Sequence, residues 1–322
     1  MLKTALLVTL LTPAAALAAP VYIALGDSIT RGETDLNYVP SYGDMGYVAK
    51  VADALAAKNG GTRPTVINLA IDGETASSFN TGMGRTPPVQ GRTDVPLALE
   101  NLNYAGQAAT PQHDLLAAKI AQQTAMGNTI ADVSITLGFN ELGAIATKPN
   151  ALALLPGVLG AYLANETKNL SFIRSLAPNA NLYLVNYYNP FPGDPGNPAG
   201  SFFATAGPKL DAIIKALAGE FHAYYVDTAT PFKGHEAAYT YIAQQSAGFY
   251  RDGRYSGIEP IGNVHPNDTG YGVIAAQFRS ATIPTPEPAI MGLFGIGMGI
   301  VLARRARLQP RRLRGWDPRP LS

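Results

Sequence analysis

Five short apolar runs rich in β-branched and aromatic residues recur along the chain, at 21–25, 65–69, 132–137, 182–187 and 223–226, and each is followed by a stretch of helical periodicity. The helical stretches cover 45–58, 113–126, 158–176, 208–221 and 270–279. Continuous apolar runs of this length suit strands buried on both faces, and their alternation with helices leaves few architectures open. The pattern predicts a parallel five-stranded sheet covered on both faces, a three-layer α/β/α domain whose functional loops lie at the carboxyl ends of the strands. Local punctuation agrees. Gly60-Gly61 closes the first helix, Pro178-Asn179 follows the third, and Pro208 suits the first turn of the fourth. Long connections at 77–111, 188–204 and 229–263 are dense in Gly, Pro, Asn or Thr, as functional loops often are. No internal repeat is visible.

The two ends read differently from this core. Residues 1–18 carry Lys3, an apolar stretch at 5–11 and Ala16-Leu17-Ala18, the form of a secretory signal whose removal by signal peptidase starts the mature chain near Ala19. At the other end Pro284-Thr285-Pro286-Glu287-Pro288 precedes fifteen apolar or glycine residues, 289–303, and then Arg304, Arg305, Arg307, Arg311, Arg312 and Arg314. That is a stiff linker, a hydrophobic segment and a basic stop. A bilayer core needs about 20 apolar residues, so this segment suits a transient hold in a membrane better than a permanent span. The expected parts are therefore a signal at 1–18, a globular domain at 19–283, a linker, apolar and arginine segment at 284–307 and a basic tail at 308–322.

Composition narrows the function. With Lys3 and the tail from Arg304 set aside, 16 basic residues face 22 acidic ones, a net charge of −6. Nucleic acid is thus an unsuitable partner, because polyanions are held by clustered Lys and Arg. The chain has no cysteine, which excludes thiolate chemistry and disulfides, and its 47% hydrophobic content is ample for a core.

Acyl transfer needs a nucleophile, a base and donors where negative charge develops on the carbonyl oxygen. Gly26-Asp27-Ser28 directly follows the first apolar run, and Ser28 there is either a nucleophile presented at a strand exit or an ordinary helix cap. After the second run comes Asp72-Gly73-Glu74 and after the third Gly138-Phe139-Asn140-Glu141. In a doubly wound sheet these ends adjoin the first, so the N–H of Ser28, the N–H of Gly73 and the side-chain amide of Asn140 can converge on one oxyanion. Of the four histidines, His113 and His222 read as surface residues, and His235-Glu236 has no second ligand at a metal-binding spacing. His265, in Val264-His265-Pro266-Asn267 before a helix that Asn267 or Asp268 can cap, is the expected base.

These blocks, Gly26-Asp27-Ser28-Ile29-Thr30, Gly73, Gly138-Phe139-Asn140-Glu141 and His265-Pro266-Asn267, taken in order, resemble those of the GDSL or SGNH hydrolases. The resemblance implies a flavodoxin-like sheet of strand order 2-1-3-4-5 and ester hydrolysis without a metal or other cofactor. It also implies Ser28 as nucleophile, His265 as general base, and Ser28, Gly73 and Asn140 as the oxyanion hole. The sequence departs from the family at one point: an acid is expected three positions before the histidine, and Gly262 stands there. A backbone carbonyl at 260–263 serving a Ser-His dyad, Glu259 or Asp252 reaching in, or a degenerate site are the three readings this leaves. The segment 284–307 resembles the PEP-CTERM sorting signal of Gram-negative bacteria. This implies processing by an exosortase-type protease, transient contact with the inner membrane and a final place at the cell surface or outside. The expectation is a secreted serine esterase or lipase acting on an acylated small molecule, lipid or glycan. Its rivals are a carbohydrate O-acetylesterase acting on exopolysaccharide and a noncatalytic matrix-binding protein. Tyr38, Tyr42, Tyr47, Phe79 and Phe249 are compatible with either substrate binding or packing.

Overall fold

The computed structural model describes residues 18–32, 43–82, 110–191, 198–241, 250–251, 254–255 and 264–284. The first half runs β1 (Pro20–Gly26), α1 (Ser28–Arg31), α2 (Gly46–Lys58), β2 (Thr65–Asn68), α3 (Ser78–Thr81), α4 (Gln112–Ala125) and β3 (Thr129–Thr136). Then follow α5 (Phe139–Ala146), α6 (Ala151–Leu176), β4 (Asn181–Val185), α7 (Pro198–Glu220) and β5 (Tyr224–Val226). Last come α8 (Ala229–Phe232), α9 (Glu236–Tyr239), the two-residue strands β6 (Tyr250–Arg251) and β7 (Arg254–Tyr255), and α10 (Asp268–Ser280).

The main sheet has the order β2-β1-β3-β4-β5, and all its pairings are parallel. β1 lies between two partners, so both of its faces must be covered. Its alternate residues do this: Val21, Ile23 and Leu25 enter one apolar cluster with residues of α4, α5, α6 and α7, whereas Tyr22 and Ala24 enter a second with residues of α2 and α10. That period of two, with helices on either face, is the three-layer α/β/α architecture. Because every strand of the main sheet runs the same way, the residues after β1, β2, β3 and β4 emerge at one end of it.

All five expected strands form, each within a few residues of its apolar run. Two helices begin earlier than their sequence suggests. α6 starts at Ala151 and contains Pro156, and α7 starts at Pro198 and contains Pro208, which is therefore interior rather than in the first turn. In α7 the reason lies in packing: Phe202, Phe203 and Ala206 before the proline and Leu210 and Ile214 after it are all buried in one cluster. A continuous apolar face carries the helix through the residue that lacks an N–H.

Candidate active site

The serine side is built around the exit of β1. Gly26 has φ of +138°, and a Cβ there would lie 2.5 Å from the carbonyl oxygen of Thr136 on β3, so only glycine can make this turn. Gln112 clamps it from the side: Gln112 Oε1 accepts from Gly26 N–H at 3.1 Å and Gln112 Nε2 donates to Gly26 O at 2.7 Å. Asp27 caps α1, its Oδ1 accepting from Ile29 N–H at 3.1 Å. Ser28 is thus held at the first turn of α1, half-buried. A buried ion pair between Arg31 and Asp72, with Arg31 Nη2 2.7 Å from Asp72 Oδ2, ties that turn to the one after β2.

His265 arrives from the other end of the chain, and its Nε2 lies 2.7 Å from Ser28 Oγ. A neutral imidazole with its proton on Nδ1 accepts the serine hydroxyl proton in this geometry. Among the described residues the loop is held by contacts to its backbone. Tyr241 N–H donates to His265 O at 3.1 Å, Asn267 N–H to Tyr239 O at 2.9 Å, and Tyr188 Oη to Val264 O at 2.8 Å. Asn267 is the cap of α10, accepting from Gly270 N–H at 2.9 Å. A Cβ on Gly270 would collide with the carbonyl of Tyr239, so close packing of α10 on α9 also requires glycine.

The oxyanion candidates come to the same end of the sheet. Gly73, with φ of +71°, turns the chain after β2 beside Glu74, whose carbonyl accepts from Asn140 Nδ2 at 2.9 Å. The same nitrogen stands 3.4 Å from Asp27 Oδ2, next to Ser28. Tyr187, following β4, donates to that carboxylate oxygen at 2.6 Å. Phe139, Tyr187, Phe203 and Leu210 line an apolar crevice alongside.

Behind these residues lies a seam of buried acids that the sequence reading missed. Asp27, Glu74 and Glu166 are all 2% exposed or less. Glu74 accepts from Ser78 Oγ and, at 2.8 Å, from Gln112 Nε2. Glu141 accepts from Ala76 N–H at 2.7 Å and Glu166 from Asn169 Nδ2 at 2.9 Å. Burial pushes Asp27 and Glu141 up to about 7 and Glu166 up to about 8. For Asp27 the bonds from Tyr187 and Ile29 oppose that rise and the charge of Glu74 adds to it. The sequence signal was present only in part, since Asp27 sits inside the serine tripeptide but its partners come from three other elements.

The remaining expectations divide cleanly. His113 stacks on Phe172, while His222 and His235 are exposed, and among the described residues no His, Asp or Glu group is arranged to hold a metal. Tyr47 and Phe79 are fully buried packing residues. Asp252, Glu259 and Gly262, together with Tyr38, Tyr42 and Phe249, lie outside the described residues. The apolar segment 289–303 does too; among the described residues no helix is long and apolar enough to cross a membrane.

Comparison with known proteins places this geometry in context. The model of the GDSL-like lipase/acylhydrolase family matches residues 24–273, and that of the PEP-CTERM protein-sorting motif matches residues 284–307. No curated protein sequence matches the chain. Among solved structures, a lipase from a goat rumen metagenome is similar at 18% identity and a TM-score of 0.53, over 84% of this chain and 100% of that one. A variant of an acetyl-xylooligosaccharide esterase from Geobacillus is similar at 18% identity and a TM-score of 0.51, over 82% of this chain and 94% of that one. A phospholipase A1 from Streptomyces albidoflavus has 19% identity and a TM-score of 0.50, over 82% of this chain and 100% of that one. At such identities these likenesses speak to the fold.

Proposed function

The chain belongs to the GDSL-like lipase/acylhydrolase family and is an ester-hydrolysing enzyme, and we propose that it is an exported serine esterase working through Ser28 and His265. The observation that carries this reading is the 2.7 Å approach of His265 Nε2 to Ser28 Oγ between residues 237 positions apart. Ser28 Oγ attacks the ester carbonyl carbon while its proton passes to His265 Nε2. The carbonyl oxygen becomes an oxyanion, met by Ser28 N–H, Gly73 N–H and the Asn140 amide. When the intermediate collapses, the bond to the alkoxy oxygen breaks and the imidazolium gives that oxygen its proton, releasing the alcohol. Water then repeats the cycle on the acyl-serine, losing its proton to His265, and the acid leaves.

The loop that presents His265 is held by Tyr188, Tyr239 and Tyr241, which supports a Ser-His pair oriented largely by backbone. Asp252 and Glu259 stay the candidate acids. The substrate is an ester of an acylated small molecule, lipid or glycan. An O-acetylated glycan has one favouring observation, since the chain carries a sorting motif that suggests export to where exopolysaccharide lies. Export by a signal at 1–18, and processing within 284–307 by an exosortase-type protease, complete the proposal.

The test is direct. The domain at 19–283 is assayed on p-nitrophenyl acetate and octanoate beside Ser28→Ala, with a fluorophosphonate probe for the serine. Hydrolysis abolished in the variant and labelling confined to Ser28 are expected; hydrolysis unchanged by Ser28→Ala overturns the assignment. Glu259→Gln and Asp252→Asn then decide the acid, a loss of about a hundredfold or more with the fold intact marking the residue that orients His265.

A further inference from the structure

The sequence that follows the catalytic domain leaves from the end of the molecule opposite Ser28. α10 begins beside His265 and runs thirteen residues, about 20 Å, back along the sheet. After it Thr282 pairs antiparallel with Tyr225 of β5, Tyr225 N–H donating to Thr282 O at 2.8 Å. The chain is therefore heading toward the amino ends of the strands. Ile283 duly lies with Pro178, Asn181, Phe221 and His222, which flank the starts of β4 and β5. Beyond it come the linker 284–288, the apolar residues 289–303 and the arginines. Five linker residues reach at most about 18 Å even fully extended, less than the length of α10. They are too short to carry the apolar segment round to the other pole.

Two of the exposed apolar side chains lie at that pole. Among the described residues three large hydrophobic side chains are prominently exposed, Met126 at 64%, Leu152 at 57% and Ile283 at 46%. Met126, in the connection from α4 to β3, and Ile283 are both at the amino-end pole, and Leu152 is at the start of α6, near the other. Apolar side chains set in a polar surface beside a basic, apolar tail suit the headgroup boundary of a bilayer.

We propose that, while the tail holds the chain, the amino-end pole rests on the bilayer and Ser28 and His265 open away from it, so that the enzyme takes esters delivered from solution or carried on a polymer. The lipids of its own membrane are then out of reach. The orientation rests on the fold and on the membrane hold proposed for the tail; the substrate consequence rests on the ester-hydrolase reading above.

The absence of cysteine makes the orientation measurable. The chain from Ala19 to its end is incorporated into vesicles of phosphatidylethanolamine and phosphatidylglycerol, carrying one fluorophore on Thr62→Cys, at the amino-end pole, or on Lys233→Cys, beside the histidine loop. With a quencher in the lipid headgroups, the Thr62 label should be quenched more strongly than the Lys233 label. Equal or reversed quenching overturns the proposal, as does failure of the chain to float with the vesicles. In the same vesicles a short-chain ester on a lipid should be cleaved slowly, and inserting about twenty Gly and Ser residues after Pro284 should raise that rate about tenfold by freeing the geometry. An unchanged rate in the lengthened chain, with lipid esters cleaved as fast as p-nitrophenyl acetate, also overturns it. If the quenching pattern holds but p-nitrophenyl acetate is not hydrolysed, the orientation stands and the ester-hydrolase reading falls.

Discussion

The two sides of the site are held by different physics. Ser28 sits at the centre of the sheet, on a turn fixed by a glycine, a clamping glutamine, a buried ion pair and a seam of carboxylates. His265 sits on a peripheral loop held by backbone hydrogen bonds to the end of α9 and its flank and by Tyr188, whose ring stacks on Phe232. The first side is rich in groups whose charge costs energy to bury, so its geometry depends on protonation. Among the described residues the second side shows backbone hydrogen bonds and aromatic packing, and there its geometry depends on packing. On the proposed roles, a nucleophile that must not move and a base that must swing between two oxygens are reasonable tenants of these two environments.

Two glycine substitutions break the comparison most sharply. Gly26→Ala puts a methyl against Thr136 O and Thr30 Oγ1 in a backbone conformation closed to alanine, in the middle of the sheet. Strain and overpacking together are worth about 2–6 kcal/mol, a large part of a typical domain's stability, so a lowered urea midpoint or insoluble protein is expected. Gly270→Ala meets the Tyr239 carbonyl instead, at the junction of α10 with a four-residue helix. There the loop can yield. The expected outcome is a smaller change in the urea midpoint with hydrolysis reduced about a hundredfold, because about 1 Å of displacement of the imidazole spoils its approach to Ser28. Equal losses of stability in the two variants would show that the histidine loop is as embedded as the serine turn.

How far the sequence could be read follows the same division. The strands were legible because buried parallel strands are written as local apolar runs, and the placement of Ser28, Gly73, Asn140 and His265 at one end of the sheet because each stands near a strand end or helix cap. What depends on convergence was not. Tyr187 looked like the last residue of an apolar run, yet its hydroxyl reaches Asp27 from a strand two places away in the sheet. Glu166 is one of several polar residues in a 26-residue helix, and only the packing of α6 against the turn at Ala76 and Asn80 reveals that it is buried. Pro156 and Pro208 misplaced two helix starts because a local breaker signal is weaker than a continuous buried face.

Tyr187→Phe probes the charged side without touching the reacting atoms. It removes one hydrogen bond to the Asp27 carboxylate and leaves the ring in place. A bond to a charged group contributes about 1.5–3 kcal/mol, so kcat should fall about tenfold while KM changes little, if Asp27 orients Asn140 and the serine turn for the transition state. The pH profile gives the sign. The Tyr187 bond lowers a pKa that burial has pushed up to about 7. Losing it moves the acid limb of kcat further toward alkaline pH, and an acid limb that stays put would remove Asp27 from the mechanism. The matching change on the other side, Tyr188→Phe, deletes the bond to Val264 O and should leave the limb where it was.

The smallest expected effect is on the pH dependence of stability. Glu166 holds its proton up to about 8 in the folded protein, against an ordinary 4.5. Between those values the folded state binds more protons than the unfolded chain, so stability falls as pH rises through the window. Asp27 and Glu141, raised to about 7, act in the same direction up to that point. Glu141 adds a reason of its own, since its Oε2 is buried with no hydrogen-bond partner among the described residues, a place better suited to the neutral acid than to the anion. Glu166→Gln keeps the acceptor for Asn169 and removes the titration. Its melting temperature should drop less than that of the parent when the pH is raised through this window, with the two proteins closest at the acid end, where Glu166 is neutral in both states. Parallel curves would mean that Glu166 is ionised in the folded protein, and the seam would then have to be held by charge rather than by shared protons.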